Sequence, residues 1–302
     1  MSSIIDVSGL TKSFKEITAV DNLTFTVKEN GVYGFLGQNG AGKSTTIRML
    51  LSLIRPTRGE IRIFDLDLST HRKEILQRIG AIIEKPDLYK YLTAIENLNL
   101  FAAMSGLKLK RKQLIDKLEK VGLAERADSK IKTYSQGMKQ RLGIAVALVH
   151  DPDLIILDEP MNGLDPQGIA DIRQLITYLS KEEGKTIFIS SHLLSEMEQV
   201  ADSLLIIHKG KKIAEGNMNQ LLNPEQSRIE VETRSAIEFE LQLKQTAWAN
   251  NIISVNGQKI MMQMKREEVP AFVQQMAERK QDIFSIHKKN SLEDYFLSLT
   301  SH

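Results

Sequence analysis

Short apolar runs alternate with amphipathic stretches along this chain, and their order predicts its architecture. Ile4–Val7, Leu23–Val27, Val32–Leu36 and Ile61–Phe64 are brief and β-rich. Val32-Tyr-Gly-Phe-Leu36 has almost no polar interruption, as expected of a strand buried on both faces, and Ser44–Leu53 beyond it has helical spacing. Between about residues 88 and 150 the period lengthens. Thr93 and Glu96 stand at capping-box spacing before Ile95, Leu98 and Ala102; Leu114, Leu118 and Val121 mark a second amphipathic helix that Gly122 is placed to end. Met138, Leu142, Ala145 and Val149 trace a third. Strand-like runs then return at Leu154–Leu157, Thr186–Ser190 and Leu204–Ile207, with a helical stretch, Ile172–Leu179, between the first two. That alternation predicts βαβ units and a parallel sheet carrying a helical insertion.

The polar junction Asn217–Gln226, with Pro224 inside it, reads as a domain boundary. Beyond it, Arg228–Glu232 and Ile260–Met264 have strand character, and Val269–Glu278 and Ser291–Leu299 helical character. The last helix is expected to start at Ser291, with Asp294 at capping spacing and Leu292, Tyr295, Phe296 and Leu299 along one face. A chain of 302 residues exceeds one typical domain, so the expectation is an α/β domain over 1–216, with its helical subdomain at about 88–150, and a small α+β domain over 217–302.

Composition narrows the function classes. Forty basic residues against 38 acidic ones leave a net charge of +2, which gives no polyanion-binding footprint, and no nucleic-acid partner is expected. The absence of cysteine excludes disulfides, thiolate metal sites and a cysteine nucleophile. Met1–Leu10 contains Asp6 and has neither a positively charged start nor an apolar core, so it does not resemble a signal peptide. No apolar run approaches the roughly 18 to 20 residues that span a bilayer, and any membrane role is expected to come through a partner.

Residues 37–45, Gly-Gln-Asn-Gly-Ala-Gly-Lys-Ser-Thr, satisfy G-x-x-x-x-G-K-[ST] between the predicted strand and helix. Gly37, Gly40 and Gly42 let the backbone turn tightly and present N–H groups to phosphate, and the following helix N-terminus favours an anion. Lys43 is expected to reach the β- and γ-phosphates and the Ser44 hydroxyl to ligate Mg²⁺, with Asn39 and Thr45 completing the phosphate-binding stretch. Leu154-Ile-Ile-Leu-Asp-Glu-Pro160 places two carboxylates at a strand end, where α/β sheets put ligand chemistry. Successive strand residues point to opposite sides, which suits Asp158 to the Mg²⁺ shell and Glu159 to activation of the attacking water.

A third segment makes the pattern specific. Tyr134-Ser-Gln-Gly-Met-Lys-Gln-Arg-Leu-Gly143 resembles the signature sequence of ATP-binding cassette (ABC) ATPases, in the Tyr-Ser-Gln-Gly-Met form of drug-export subunits. Ser135 and the Gly137 backbone, at a helix N-terminus, make a second anion-binding surface. Phe14 resembles the aromatic that stacks on adenine, Met161-Asn-Gly-Leu-Asp-Pro166 the loop whose Asp165 couples two ATP sites, and Ser190-Ser-His192 the switch histidine that bonds the γ-phosphate and orients water. Glu84 departs from the broad pattern, standing where most members have a glutamine that approaches Mg²⁺ and connects to the transport partner. It can still offer oxygen to the metal, but it adds charge and cannot donate when ionised. Glutamate at this position narrows the resemblance to the subunits of bacitracin resistance and lantibiotic immunity; the alternative reading is impaired coupling to the transport partner.

The resemblance covers residues 4 to about 216 strongly and 217–302 weakly. It implies a P-loop ATPase fold with a mixed β-sheet, and a head-to-tail dimer in which the signature surface of one copy closes the phosphate loop of another. It also implies a separate multi-span permease at the cytoplasmic face of the membrane, and export of a drug, peptide antibiotic or lipid. The competing reading is a soluble ABC ATPase acting on ribosomes or DNA. Such proteins usually carry two cassettes or a long coiled-coil insertion, and neither pattern is present here. A third reading, a P-loop protein using nucleotide as a structural switch, is disfavoured by the pair Asp158 and Glu159.

Overall fold

A computed structural model describes residues 2–218, 221, 226–279 and 281–288. The chain divides into two compact units, Met1–Gly216 and Asn217–His302. The first opens with the long antiparallel pair β1 (Ser3–Phe14) and β2 (Ile17–Lys28). Then come β3 (Val32–Leu36), the glycine-rich loop and α1 (Lys43–Leu50), followed by β4 (Arg58–Ile63), β5 (Leu66–Asp67), α2 (Arg72–Leu76) and β6 (Ile79–Ile82). The helical region holds α3 (Ala94–Met104), α4 (Arg111–Lys120) and α5 (Gln136–Ala147). β7 (Leu154–Asp158), α6 (Pro166–Lys181), β8 (Thr186–Ser191), α7 (Leu194–Val200), β9 (Ser203–His208) and β10 (Lys211–Asn217) complete it.

These strands form two sheets rather than one. β2-β1-β4-β5 is antiparallel, and a six-stranded sheet runs β10-β9-β3-β8-β7-β6 with parallel pairing from β9 through β6. Every residue of β3, β7 and β8 is buried, which is why their apolar runs lack alternation. β2 does alternate, turning Leu23, Phe25 and Val27 inward. Phe25 joins the sheets: its ring lies 6.1 Å from Phe35 of β3 and 6.2 Å from Phe188 of β8.

Local signals place the helix ends. Thr93 accepts from Glu96 N while Glu96 accepts from Thr93 N, the reciprocal box that starts α3. Gly122, at φ 67°, follows α4 in the left-handed conformation glycine tolerates best. α1 stops at Leu50, three residues short of the sequence expectation, because the chain turns at Ser52 with φ 53°.

The second unit is an antiparallel sheet, β12-β13-β11-β14, built from β11 (Gln226–Thr233), β12 (Ile252–Asn256), β13 (Lys259–Lys265) and β14 (Ile283–Lys288). Helices α8 (Ala236–Leu243) and α9 (Val269–Glu278) supply Phe239, Phe272 and Met276 to a core shared with Ile229, Val231 and Met262. The helix expected over Ser291–Leu299 lies outside the described residues. Among the described residues no helix is long and apolar enough to cross a membrane.

Candidate functional site

Three adjacent strands, β3, β8 and β7, deliver their carboxyl ends to one edge of the parallel sheet. In register, Leu36 lies beside Ser191 and Asp158 beside Ser190, so the glycine-rich loop, His192 and the acidic pair emerge together although more than 110 residues separate the first from the others. This is the position where open α/β sheets place ligands.

The glycine-rich loop is held by close backbone packing. Gly42 caps α1 at φ 107°, and a Cβ there would fall 2.5 Å from the Ala19 carbonyl oxygen of β2. Gly37 N donates to Ser191 O at 3.3 Å, tying the loop to β8. Gln38, Asn39 and Gly40 are exposed at the tip, while Ser44 and Thr45 are half-buried in the first turn of α1. Lys43 is only 6% exposed, and its ammonium donates to Gly37 O at 2.5 Å and Gln38 O at 3.3 Å.

Lys43 also meets the predicted base. Its Nζ is 3.1 Å from Glu159 Oε1, and Glu159 Oε2 is 2.7 Å from His192 Nδ1. The three predicted catalytic residues thus form one chain, cation to carboxylate to imidazole. A carboxylate only accepts, so His192 donates from Nδ1 and leaves Nε2 to face a ligand. Glu159 lies just beyond the end of β7 in a left-handed conformation, φ 50°. The divergence of Asp158 and Glu159 therefore comes from this turn, not from strand alternation as the sequence suggested.

Asp158 is 1% exposed and sits behind this chain. Its Oδ1 accepts from Ser190 Oγ at 2.6 Å, and the same hydroxyl accepts from Glu159 N at 2.9 Å. Its Oδ2 is buried without a hydrogen-bond partner. Ser190 thus joins the Asp158 carboxylate to the Glu159 backbone, a role the sequence could have suggested only through the β7–β8 register. On α7, Glu196 accepts from Ser191 Oγ at 3.0 Å; burial raises its pKa above the ordinary carboxylate value, and the nearby Glu159 charge adds to the rise.

The remaining predicted residues lie around this centre. Phe14, at the β1–β2 turn, is 47% exposed rather than part of the core, with Lys12 Nζ 4.9 Å from its ring centroid. Ser135 caps α5 by accepting from Met138 N at 3.2 Å; it is exposed and takes no part in the network around Lys43. Gly137 packs toward Gly168 in the first turn of α6, the helix that Asp165 caps through Gly168 N at 2.9 Å. The Glu84 carboxylate is engaged by Arg48 Nη2 at 2.7 Å.

Comparison with known proteins agrees with this geometry. The ABC transporter family model matches residues 20–162. The bacitracin transport ATP-binding protein BcrA of Bacillus licheniformis is 54% identical over 216 residues, covering 71% of this chain and 70% of its own. The lantibiotic transport ATP-binding protein SrtF of Streptococcus pyogenes is 42% identical over 226 residues, 73% of this chain and 96% of that protein. Among solved structures, the dimeric post-hydrolysis state of the ATP-binding cassette MJ0796 bound to ADP and Pi superposes with a TM-score of 0.65 at 26% identity, covering 71% of this chain and 99% of that one. Fold, strand-end chemistry and relatives lead to one assignment: the chain belongs to the ABC transporter ATP-binding proteins and is an ATPase of a transport system.

Proposed function

We propose that this ATPase works as a head-to-tail dimer at the cytoplasmic face of the membrane, driving a separate multi-span permease that exports a drug, peptide antibiotic or lipid. The observation that carries the catalytic part is the chain Lys43–Glu159–His192 beside the glycine-rich loop. Lys43 leaves Glu159 for the β- and γ-phosphates of ATP, which frees one carboxylate oxygen to take a proton from the attacking water. His192, held through Nδ1, can donate to the γ-phosphate from Nε2 only in its doubly protonated form, since the neutral ring carries a single N–H. Phe14 offers its exposed ring to adenine, while Gly37, Asn39, Gly40, Gly42, Ser44 and Thr45 line the phosphates.

Mg²⁺ fits the residues present. Among the described residues no group of three or more His, Asp or Glu side chains is arranged to cage a metal. Mg²⁺ suits such a place, since it takes one or two protein ligands together with phosphate oxygens and waters. Asp158 supplies the orphaned Oδ2 and Ser44 a hydroxyl at the start of α1. The ion, when bound, would neutralise phosphate charge during transfer.

Ser135 and Gly137 lie outside the Lys43 network and are open to a ligand, which supports a second copy closing the site. The dimeric form of the MJ0796 cassette supports the same arrangement. Tyr89 and Tyr91 ahead of α3, and Met104 at its end, are exposed large side chains of the kind a cytoplasmic segment of the permease would cover. Export rests on the likeness to the bacitracin and lantibiotic transport proteins. Affinity purification of the tagged chain from detergent-solubilised membranes tests the assembly. A multi-span membrane protein in fixed ratio supports it, and recovery of ribosomes or DNA instead refutes it.

A further inference from the structure

The segment that follows β6 turns at Glu84, whose φ of 61° is left-handed, and sends its carboxylate to Arg48. Arg48 stands four residues after Ser44 on α1, so the two side chains share a face about 5–6 Å apart. Two residues past Glu84, Pro86 lies against the bare backbone of Gly143 on α5. A Cβ at Gly143 would fall 2.5 Å from Pro86 Cβ and 3.3 Å from Ile82 Cδ1. The segment is thus held at two points, by the helix that begins at the phosphate loop and by the helix that begins at Ser135.

We propose that Arg48 is a positioning residue for Glu84, parking its carboxylate one helical turn short of Ser44, so that Glu84 reaches the metal side of the nucleotide only by leaving Arg48. The proposal rests on the reading of Ser44 and Glu84 as metal-side residues. Both partners of the pair are well exposed, 43% and 65%, so the pair is weak and the exchange reversible. Pro86 has no room to follow toward α5, and the movement of Glu84 therefore turns about the Gly143 contact and bears on α5. A glutamine at position 84 would have no charge for Arg48 to hold.

The test is the affinity of the full chain for a fluorescent, non-hydrolysable ATP analogue, measured with Mg²⁺ and with EDTA. The ratio of the two affinities removes the uniform effect of deleting a positive charge near an anion. Arg48→Gln should raise that ratio about two- to fivefold, the range of an exposed ion pair. Arg48→Lys should stay near wild type, and Arg48→Gln should have no effect in a Glu84→Gln background. An unchanged ratio for Arg48→Gln, or the same rise without Glu84, overturns the proposal. If Arg48→Gln is inert while Glu84→Gln lowers the ratio, only the parking role fails. If Glu84→Gln also leaves the ratio unaltered, the metal-side reading of Glu84 falls and takes the proposal with it.

Discussion

Glu159→Gln should tighten ATP binding while stopping hydrolysis. Lys43 is tied to Glu159 Oε1 at 3.1 Å, and this bond must break before the ammonium can meet phosphate. The Coulomb attraction at that distance is about 5 kcal/mol at an effective dielectric constant of about 20. Most of it is offset, because Lys43 keeps Gly37 O and Gln38 O as acceptors and released groups regain hydration. A residual of about 1–2 kcal/mol would then be removed from the cost of binding, equivalent to roughly 5- to 30-fold in affinity. Loss of repulsion between Glu159 and the phosphates acts in the same direction. Loss of a general base should lower turnover by about 10²- to 10⁴-fold. The assay is a titration with a fluorescent ATP analogue alongside phosphate release for both proteins. Equal or weaker binding by the variant would refute the view that Glu159 restrains Lys43, and brisk turnover would remove Glu159 as the base.

Three further outcomes follow from other contacts. Lys43→Ala should weaken ATP affinity by at least about tenfold, the loss of one charge-assisted contact, and unchanged binding in the same titration would count against the phosphate-loop assignment. Ser190→Ala strips the hydroxyl that serves Asp158 and Glu159 N, and should destabilise the first unit by about 2–4 kcal/mol. Denaturation followed by circular dichroism reads this, since the lone Trp248 reports on the second unit, and a loss below about 0.5 kcal/mol would dismiss the bond as a contributor. Glu196 has a raised pKa in the fold, so the native state holds its proton more tightly, and the group destabilises the protein as pH rises above the ordinary carboxylate value of 4.5. Glu196→Gln should therefore increase the melting temperature at pH 7 but not at pH 4.5, and an equal change at both pH values would contradict the assignment.

What the sequence made legible was local. The glycine-rich loop, the Thr93–Glu96 box and Gly122 after α4 each declare themselves within a few residues, because φ/ψ and hydrogen-bonding demands act at short range. Buried strands β3 and β7 were visible as unbroken apolar runs. The β6 run, with a glycine inside four residues, was too short to stand out, and the partly exposed β12 and β14 show little apolar patterning. The candidate residues were named individually, but their connections were not. Ser190 reaches Asp158 through a register between strands 32 residues apart, Arg48 reaches Glu84 across 36, and Pro86 meets Gly143 only because α5 folds back. The direction of Glu159 depends on a left-handed turn that no glycine or asparagine advertises.

The strand order also constrains how the chain can be made. β3 emerges early in synthesis, yet its two neighbours, β8 and β9, begin at Thr186 and Ser203, at least about 150 residues later. At about 5–20 residues per second, the strand that carries the phosphate loop waits roughly 8–30 s with both edges unpaired. A fully apolar strand left open that long is a site for mispairing, so a nascent chain is most vulnerable between these two points. Both neighbours of β3 are in place only once the chain has passed His208, so ATP capture by the nascent chain should report closure of the sheet around β3.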